Sequence, residues 1–171
     1  MIYTFRLIST EADDFVRDME IGAGNSFLTF HTGIQKALRY DPSQLASFFL
    51  CDNEWNRLKE ITLLDMYGEE KMHTLTMQEA IISHYVSSKG DKLQYLFDFF
   101  SDRALFIELV DTEPAGDPLA PPFVIREKGI PPQQIVMDVL SGDVQDFAET
   151  DNDDDIDDED LLIDPDDLER L

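Results

Sequence analysis

His31 is the residue best suited by type to acid–base chemistry, because an imidazole titrates close to neutral pH. On a helix, His31 shares a face with apolar residues, which are Phe27, Ile34 and Leu38. That spacing favours a packed, hydrogen-bonded core histidine over an accessible catalytic one. The exposure of the ring separates the two interpretations.

Glu70 and His73 have the Glu-x-x-His spacing that brings two metal ligands to one face of a helix. A dimetal site in a helical bundle needs a second such pair, and His84 follows Glu79 at the wrong spacing. We therefore expect no metal and no cofactor. His84 is expected to interact with the dipole of a predicted helix near its C-terminal end.

Cys51 is the single cysteine of the chain. A nucleophilic thiolate needs a base or a positive neighbour, whereas Asp52 and Glu54 lie beside this thiol in sequence. We therefore interpret it as a buried structural thiol. One reduced thiol, no apolar run of membrane-spanning length and no signal-peptide core at the N-terminus indicate a cytoplasmic protein.

Familiar catalytic signatures are missing from the sequence, including the nucleophile elbow, the phosphate loop and the His-Glu-x-x-His motif. A non-enzymatic role is therefore favoured. The alternative hypothesis is an enzyme or small-ligand binder with a site between the first helix and the sheet. Its candidate residues are His31, Trp55, Asp98 and Asp102.

Acidic residues dominate the charge of the chain. Its 171 residues include 37 Asp and Glu against 13 Lys and Arg, a formal net charge of −24. Binding to DNA, RNA or anionic lipid requires clustered cations, so we expect none of these partners. The cations that could still cluster in space are Lys36, Arg39, Arg57, Lys59, Lys89 and Lys92.

The C-terminal segment carries the densest charge. Residues 151–171 hold 12 acids and one base, so we expect a domain over residues 1–140 and a disordered acidic linker and tail over 141–171. Asp151, Asp153 and Asp155 alternate as calcium ligands do, but Ile156 and Leu162 occupy the positions where a calcium loop needs Gly and Glu. Weak, unspecific cation condensation is the better interpretation.

The end of this tail alternates acidic and apolar residues. Asp164 can cap a short helix and Pro165 suits its first position. This segment could fold on binding a basic partner protein, or it could only keep the protein soluble. The candidate partner-binding residues are Leu161, Leu162, Ile163, Leu168 and Leu171.

Apolar periodicity predicts the secondary structure. Alternation predicts strands near residues 3–7, 15–21, 45–50, 93–97 and 104–110, with a short edge strand at 123–125. Ser26 and Thr76 are predicted to cap two helices, and Pro131 to open a third that ends before Gly142. Residues 52–71 are expected to be irregular. These elements predict an α+β fold, one domain with a mixed or antiparallel sheet against two or three helices.

Several segments resemble the plasmid pRiA open-reading-frame-three-like family. The segments are the helix at 26–40, the Asp-Pro-Ser-Gln-Leu run from Asp41, the Gly-Asp-Lys run from Gly90 and the Pro-Pro pair after Ile130. The resemblance covers roughly residues 2–135. It implies an α+β fold with one sheet and helices against it, and it implies no particular activity.

The chain departs from the family pattern at three places. Residues 100–103 lack the Gly and Trp of the family, and Ile130 stands where the family has a cysteine. Phe15 and Arg17 lie near the position of an early Trp-Arg pair. If these positions form a site in the family, we expect that site to be altered in this chain.

Overall fold

Seven strands pair in one antiparallel sheet in the computed structural model, which describes residues 1–65 and 74–135. The predicted single domain with an antiparallel sheet is confirmed. Across the sheet the order is β4-β3-β5-β6-β1-β2-β7. In chain order the strands are β1 (Ile2–Ile8), β2 (Val16–Gly22), β3 (Ser47–Cys51), β4 (Arg57–Thr62), β5 (Lys92–Asp98), β6 (Arg103–Glu113) and β7 (Phe123–Lys128).

One α-helix, α1 (Phe27–Leu38), packs on one face of this sheet. Its predicted cap is confirmed, because the Ser26 hydroxyl accepts a hydrogen bond of 3.2 Å from the backbone N–H of Thr29. On the buried side of α1, the Phe30 ring stacks against Phe5 at 4.8 Å and against Phe48 at 5.6 Å between centroids. The core is thus aromatic and lies between α1 and the sheet.

The second predicted helix, from Thr76, is wrong. Glu79 N–H does bond to the Thr76 hydroxyl at 3.4 Å, as a cap requires, but only a single 3-10 turn follows, at Ile82–His84. Tertiary bonds take the backbone groups instead: the Met77 N–H donates to Thr62 O, and the Ala80 carbonyl accepts from Phe27 N. The backbone groups of this segment therefore form hydrogen bonds with the first turn of α1 and with the end of β4. Those groups are then not available for the hydrogen bonds of a helix.

Two further predictions fail for related reasons. Residues 57–62, expected to be irregular, form β4, an edge strand whose first four residues are exposed and so lack an alternating pattern. No helix begins at Pro131, since residues 131–135 are not helical. The carbonyls of Pro132 and Gln133 accept bonds from the side chains of Tyr40 and Arg103. The remainder of that predicted helix lies outside the described residues.

The two faces of the sheet differ in what covers them. Phe5, Tyr95 and Ile107 belong to the buried core under α1. Their neighbours along the strands point to the other side, because side chains alternate along a strand. We call that other side the open face, since no helix of the described residues packs on it.

Candidate functional site

His31 lies in the core between α1 and the sheet, with a side chain that is almost completely buried. Its Nδ1 is 2.8 Å from the Tyr95 hydroxyl on β5, and the two rings are 5.7 Å apart. Burial lowers the pKa of His31 from 6.5 to about 4, so the ring is neutral near neutral pH. The geometry is that of a hydrogen-bonded core histidine.

Asp98 ends β5 and organises the turn that follows it. Its Oδ1 accepts bonds from the backbone N–H groups of Phe100 and Ser101, and its Oδ2 lies 3.5 Å from Arg103. Burial opposes ionisation of Asp98, but the bonds from Ser101, Phe100 and Arg103 outweigh it and lower the pKa. Arg103 also donates to both carboxylate oxygens of Glu11. Asp98 therefore has a structural role in the β5–β6 turn.

Asp102 is the exposed member of a second guanidinium–carboxylate pair. Arg57 Nη1 donates to Asp102 Oδ1 at 2.8 Å, and Arg57 Nε donates to the Gln94 side chain at 2.7 Å. The Arg57 guanidinium also lies 4.5 Å from the centre of the Phe49 ring. Three contacts thus fix Arg57, while the side chain of Asp102 remains 70% exposed.

Trp55 has a backbone φ of +68°, a left-handed conformation that is rare for a bulky residue. The Gln94 side chain holds it there by donating to the Trp55 carbonyl at 3.0 Å. The indole meets Phe106 edge-on at 5.0 Å between ring centres. Asp102, with φ of +51°, is one of only two other non-glycine residues with positive φ in the described chain.

These residues border one surface depression of about 780 Å³ on the open face. We call it the Trp55 depression, defined by Glu11, Trp55, Arg57, Gln94, Asp102 and Phe106. Its border includes residues of the β1–β2, β3–β4 and β5–β6 connections, and its floor includes residues of β5 and β6. These side chains combine two aromatic rings, two carboxylates, a paired guanidinium group and an amide, so the depression can bind an occupant through ring contacts and hydrogen bonds.

The structure therefore divides the candidate residues between the two sides of the sheet. Trp55 and Asp102 line the Trp55 depression. Asp98 does not line it, but its carboxylate is 3.5 Å from Arg103, which does. His31 is in the core on the other side. The structure thus does not bring the four residues together, because the sheet lies between His31 and the other three. A ligand site between the first helix and the sheet stays a prediction.

A row of alternating charges crosses the open face through directly opposed residues. The row spans five neighbouring strands and contains Lys92, Glu108, Arg6, Asp18 and Arg126. Arg6 binds Asp18 with two bonds of 2.7 and 2.8 Å, and Arg126 approaches the same carboxylate at 3.8 Å. Opposite charges on neighbouring strands stabilise their register. Sequence reasoning missed this row, since only the strand pairing brings its members together.

Cys51 is the last residue of β3 and is partly buried. Burial raises the pKa of its thiol, Arg57 opposes that effect and Asp52 adds to it. The thiol lies 3.6 Å from the Phe49 carbonyl. This environment favours the protonated thiol over the reactive thiolate.

The other candidates from the sequence lie outside the described residues. They are the pair Glu70 and His73, the aspartates of the tail and the apolar residues from Leu161 to Leu171. Within residues 1–65 and 74–135, no three metal-ligating side chains are grouped. His84 is exposed and lies in the 3-10 turn rather than at the end of an α-helix.

A family model for the plasmid pRiA4b ORF-3-like proteins matches residues 4–161. The chain belongs to the plasmid pRiA4b ORF-3-like family. The match extends beyond the residues over which the resemblance was traced in the sequence. The family name assigns no reaction, ligand or partner to these proteins.

A solved structure supports the same fold for this family member. A protein of unknown function, MM3350 from Methanosarcina mazei Go1, matches with a TM-score of 0.55 and 18% identity over 74% of this chain and 68% of that one. No curated protein gives a significant match. No helix in the described part of the chain has the length and apolar character of a membrane span.

Proposed function

We propose that the chain is a cytoplasmic, non-enzymatic interaction module that binds a neutral or basic segment of a partner protein on its open face. The observation that carries this proposal is the Trp55 depression, which two residues of left-handed backbone conformation border. Such conformations cost free energy and cluster at binding and active sites, where the surrounding structure holds them. Here a hydrogen bond from the Gln94 side chain fixes Trp55, and one from Arg57 fixes Asp102.

Charge favours a basic or neutral occupant. The described residues contain 19 Asp and Glu against 11 Lys and Arg, a formal net charge of −8. Residues 151–171 add 12 acids and one base, which strengthens the long-range attraction for a basic partner. In the depression, Asp102 Oδ1 holds Arg57, and the exposed Oδ2 makes no hydrogen bond within the described residues. That oxygen can accept a bond from a Lys or Arg of the partner.

The aromatic lining supports the same occupant. Trp55 and Phe106 present ring surface beside Asp102, and cations bind to ring faces as Lys92 already does to Trp55 at 5.3 Å. The titratable groups of the depression are held by partners: Glu11 binds Arg103, and Asp102 binds Arg57. Paired groups of this kind position an occupant more readily than they transfer protons to it.

The fluorescence of Trp55 tests this proposal, because it is the single tryptophan of the chain. We expect a short Lys-rich peptide to change the emission of the full-length protein, and a matched Glu-rich peptide to leave it unchanged. Asp102→Asn should weaken the affinity for the Lys-rich peptide by up to about fivefold, which is the range of one exposed ion pair. Glu113→Gln, an exposed change at the far end of β6, is the matched control. Equal binding by wild type and Asp102→Asn would contradict the proposal.

A further inference from the structure

A second depression, of about 550 Å³, lies between α1 and β7, on the side of the sheet opposite the Trp55 depression. We call it the α1–β7 groove; Thr32, Lys36, Ala37, Pro122, Phe123 and Val124 line it. Pro122 packs directly on α1 at Gly33, where a Cβ atom would lie 2.5 Å from the proline Cγ. The volume is that of a small-molecule site.

The groove has apolar walls that are open to solvent. Phe123 is half exposed although it is a large aromatic residue. Proline rings and Val124 extend this apolar surface towards α1. Burial of such a surface by an apolar ligand is favourable in proportion to the area removed from water.

Lys36 is the charged group of this lining, and it has no partner among the described residues. Of the 11 Lys and Arg side chains in that part of the chain, nine contact a carboxylate, a carbonyl or an aromatic ring. The two that do not are Lys36 and Arg39, in the last turn of α1 and at its C-cap. Lys36, one of two cations without a partner among the described residues, therefore lies in the wall of this groove.

We propose that the α1–β7 groove binds a small amphiphilic carboxylate. The apolar body of the ligand contacts Pro122, Phe123 and Val124, and its carboxylate accepts a hydrogen bond from Lys36 Nζ. Charge complementarity selects this class, because a single negative charge matches one free ammonium group. A phosphate dianion would meet stronger repulsion from the acidic surface. This site is independent of the protein partner proposed for the open face.

Phenylbutyrate and its neutral analogue phenylbutanol test the proposal by titration into the full-length protein, followed by amide NMR shifts and calorimetry. We expect phenylbutyrate to shift the amides of Thr32, Lys36 and Val124, and to bind about fivefold more tightly than the alcohol. Lys36→Met keeps the apolar stem and should remove that preference. Lys89→Met, which removes a cation paired with Asp111, is the matched control.

A second variant tests the apolar half of the site. Ala37→Leu places additional side-chain volume in the groove and should weaken the acid and the alcohol alike. Equal binding of the two probes to the wild type, an unchanged preference in Lys36→Met, or shifts confined to other surfaces would each overturn the proposal. An absence of any shift by phenylbutyrate would overturn it as well.

Discussion

The hydroxyl of Tyr95 lies 2.8 Å from Nδ1 of His31, which joins β5 to α1 in the centre of the core. Either group can donate in this pair, because an unprotonated Nδ1 accepts from the phenol and an Nδ1–H donates to the phenol oxygen. Protonation of both ring nitrogens would place a charge in an apolar surrounding. Burial therefore favours the neutral ring, which agrees with the lowered pKa of His31 of about 4.

This pair predicts a loss of stability at mildly acidic pH. The folded pKa of His31 is about 4 and the unfolded value is 6.5, so the unfolded chain binds more protons between these limits. The free energy of unfolding should fall by roughly 3 kcal/mol as the pH decreases through this window. His31→Gln keeps an acceptor for Tyr95 without a titrating group, and it should flatten the curve measured by urea unfolding.

The exposed His84 provides the control for that measurement. His84→Gln makes the same substitution at an exposed imidazole outside the core, so it is the matched variant. Asp14 and Asp41 have pKa values lowered below the usual 3.8, so their effects fall at lower pH than that of His31. A slope in His31→Gln equal to that of the wild type would contradict the assignment.

The elements that sequence predicted correctly are those whose pattern matches their burial. In β6, the alternate residues Leu105, Ile107 and Leu109 are buried, and α1 has one apolar side, whereas β5 is buried at five successive residues. The edge strand β4 has four exposed residues in succession and no such pattern. At Thr76 the local helix signal was present, but bonds to β4 and α1 outweighed it, which no local pattern reveals.

The close contact of Gly33 with Pro122 predicts a destabilised Gly33→Ala variant. Alanine favours a helix over glycine by about 1 kcal/mol, so an exposed site would gain stability. At this site the new methyl group would lie 2.5 Å from the proline ring, and overlap in a packed region costs about 1–3 kcal/mol. We expect a net loss of about 1 kcal/mol by urea unfolding.

A double-mutant cycle identifies the source of that loss. Pro122→Gly removes both ring atoms, Cγ at 2.5 Å and Cβ at 2.6 Å, that the added methyl group would meet, so the change Gly33→Ala should cost less in the Pro122→Gly background. The coupling should amount to about 1 kcal/mol. Additive effects of the two changes would show that α1 and the segment before β7 are less tightly packed than the structure indicates.

The environment of Cys51 predicts a slowly reacting thiol. Burial raises its pKa, so little thiolate is present near neutral pH. We expect iodoacetamide to alkylate the folded protein at least about tenfold more slowly than the same chain in concentrated urea. Mass spectrometry of quenched samples measures both rates. Similar rates in the two states would contradict the structural role of this thiol.

The candidate site was less predictable than the fold. Trp55 and Asp102 were singled out in the sequence, but nothing there indicated that Arg57 joins them across 45 residues of chain. Arg57 lies on β4, and the pairing of β4 with β3, of β3 with β5 and of β5 with β6 makes that contact, so it depends on tertiary structure. Backbone strain at Trp55 is likewise invisible in sequence, because a bulky aromatic residue rarely adopts positive φ, whereas Asp is one of the residue types that do.

Backbone strain at Asp102 can be measured apart from its ion pair with Arg57. Asp102→Gly and Asp102→Ala both remove the carboxylate, so both lose the contact with Arg57 equally. They differ at the backbone, because φ of +51° is free of steric cost for glycine and costs alanine about 1 kcal/mol. The Gly variant should therefore be more stable than the Ala variant by about that amount in urea unfolding.

The order reverses at positions of ordinary helical backbone, such as the exposed Thr32 in α1, where the Ala variant should be more stable than the Gly variant by about 1 kcal/mol. Equal stability of the two Asp102 variants would mean that the turn relaxes out of the left-handed conformation, and it would remove one of the two strained residues on which the proposed binding face depends.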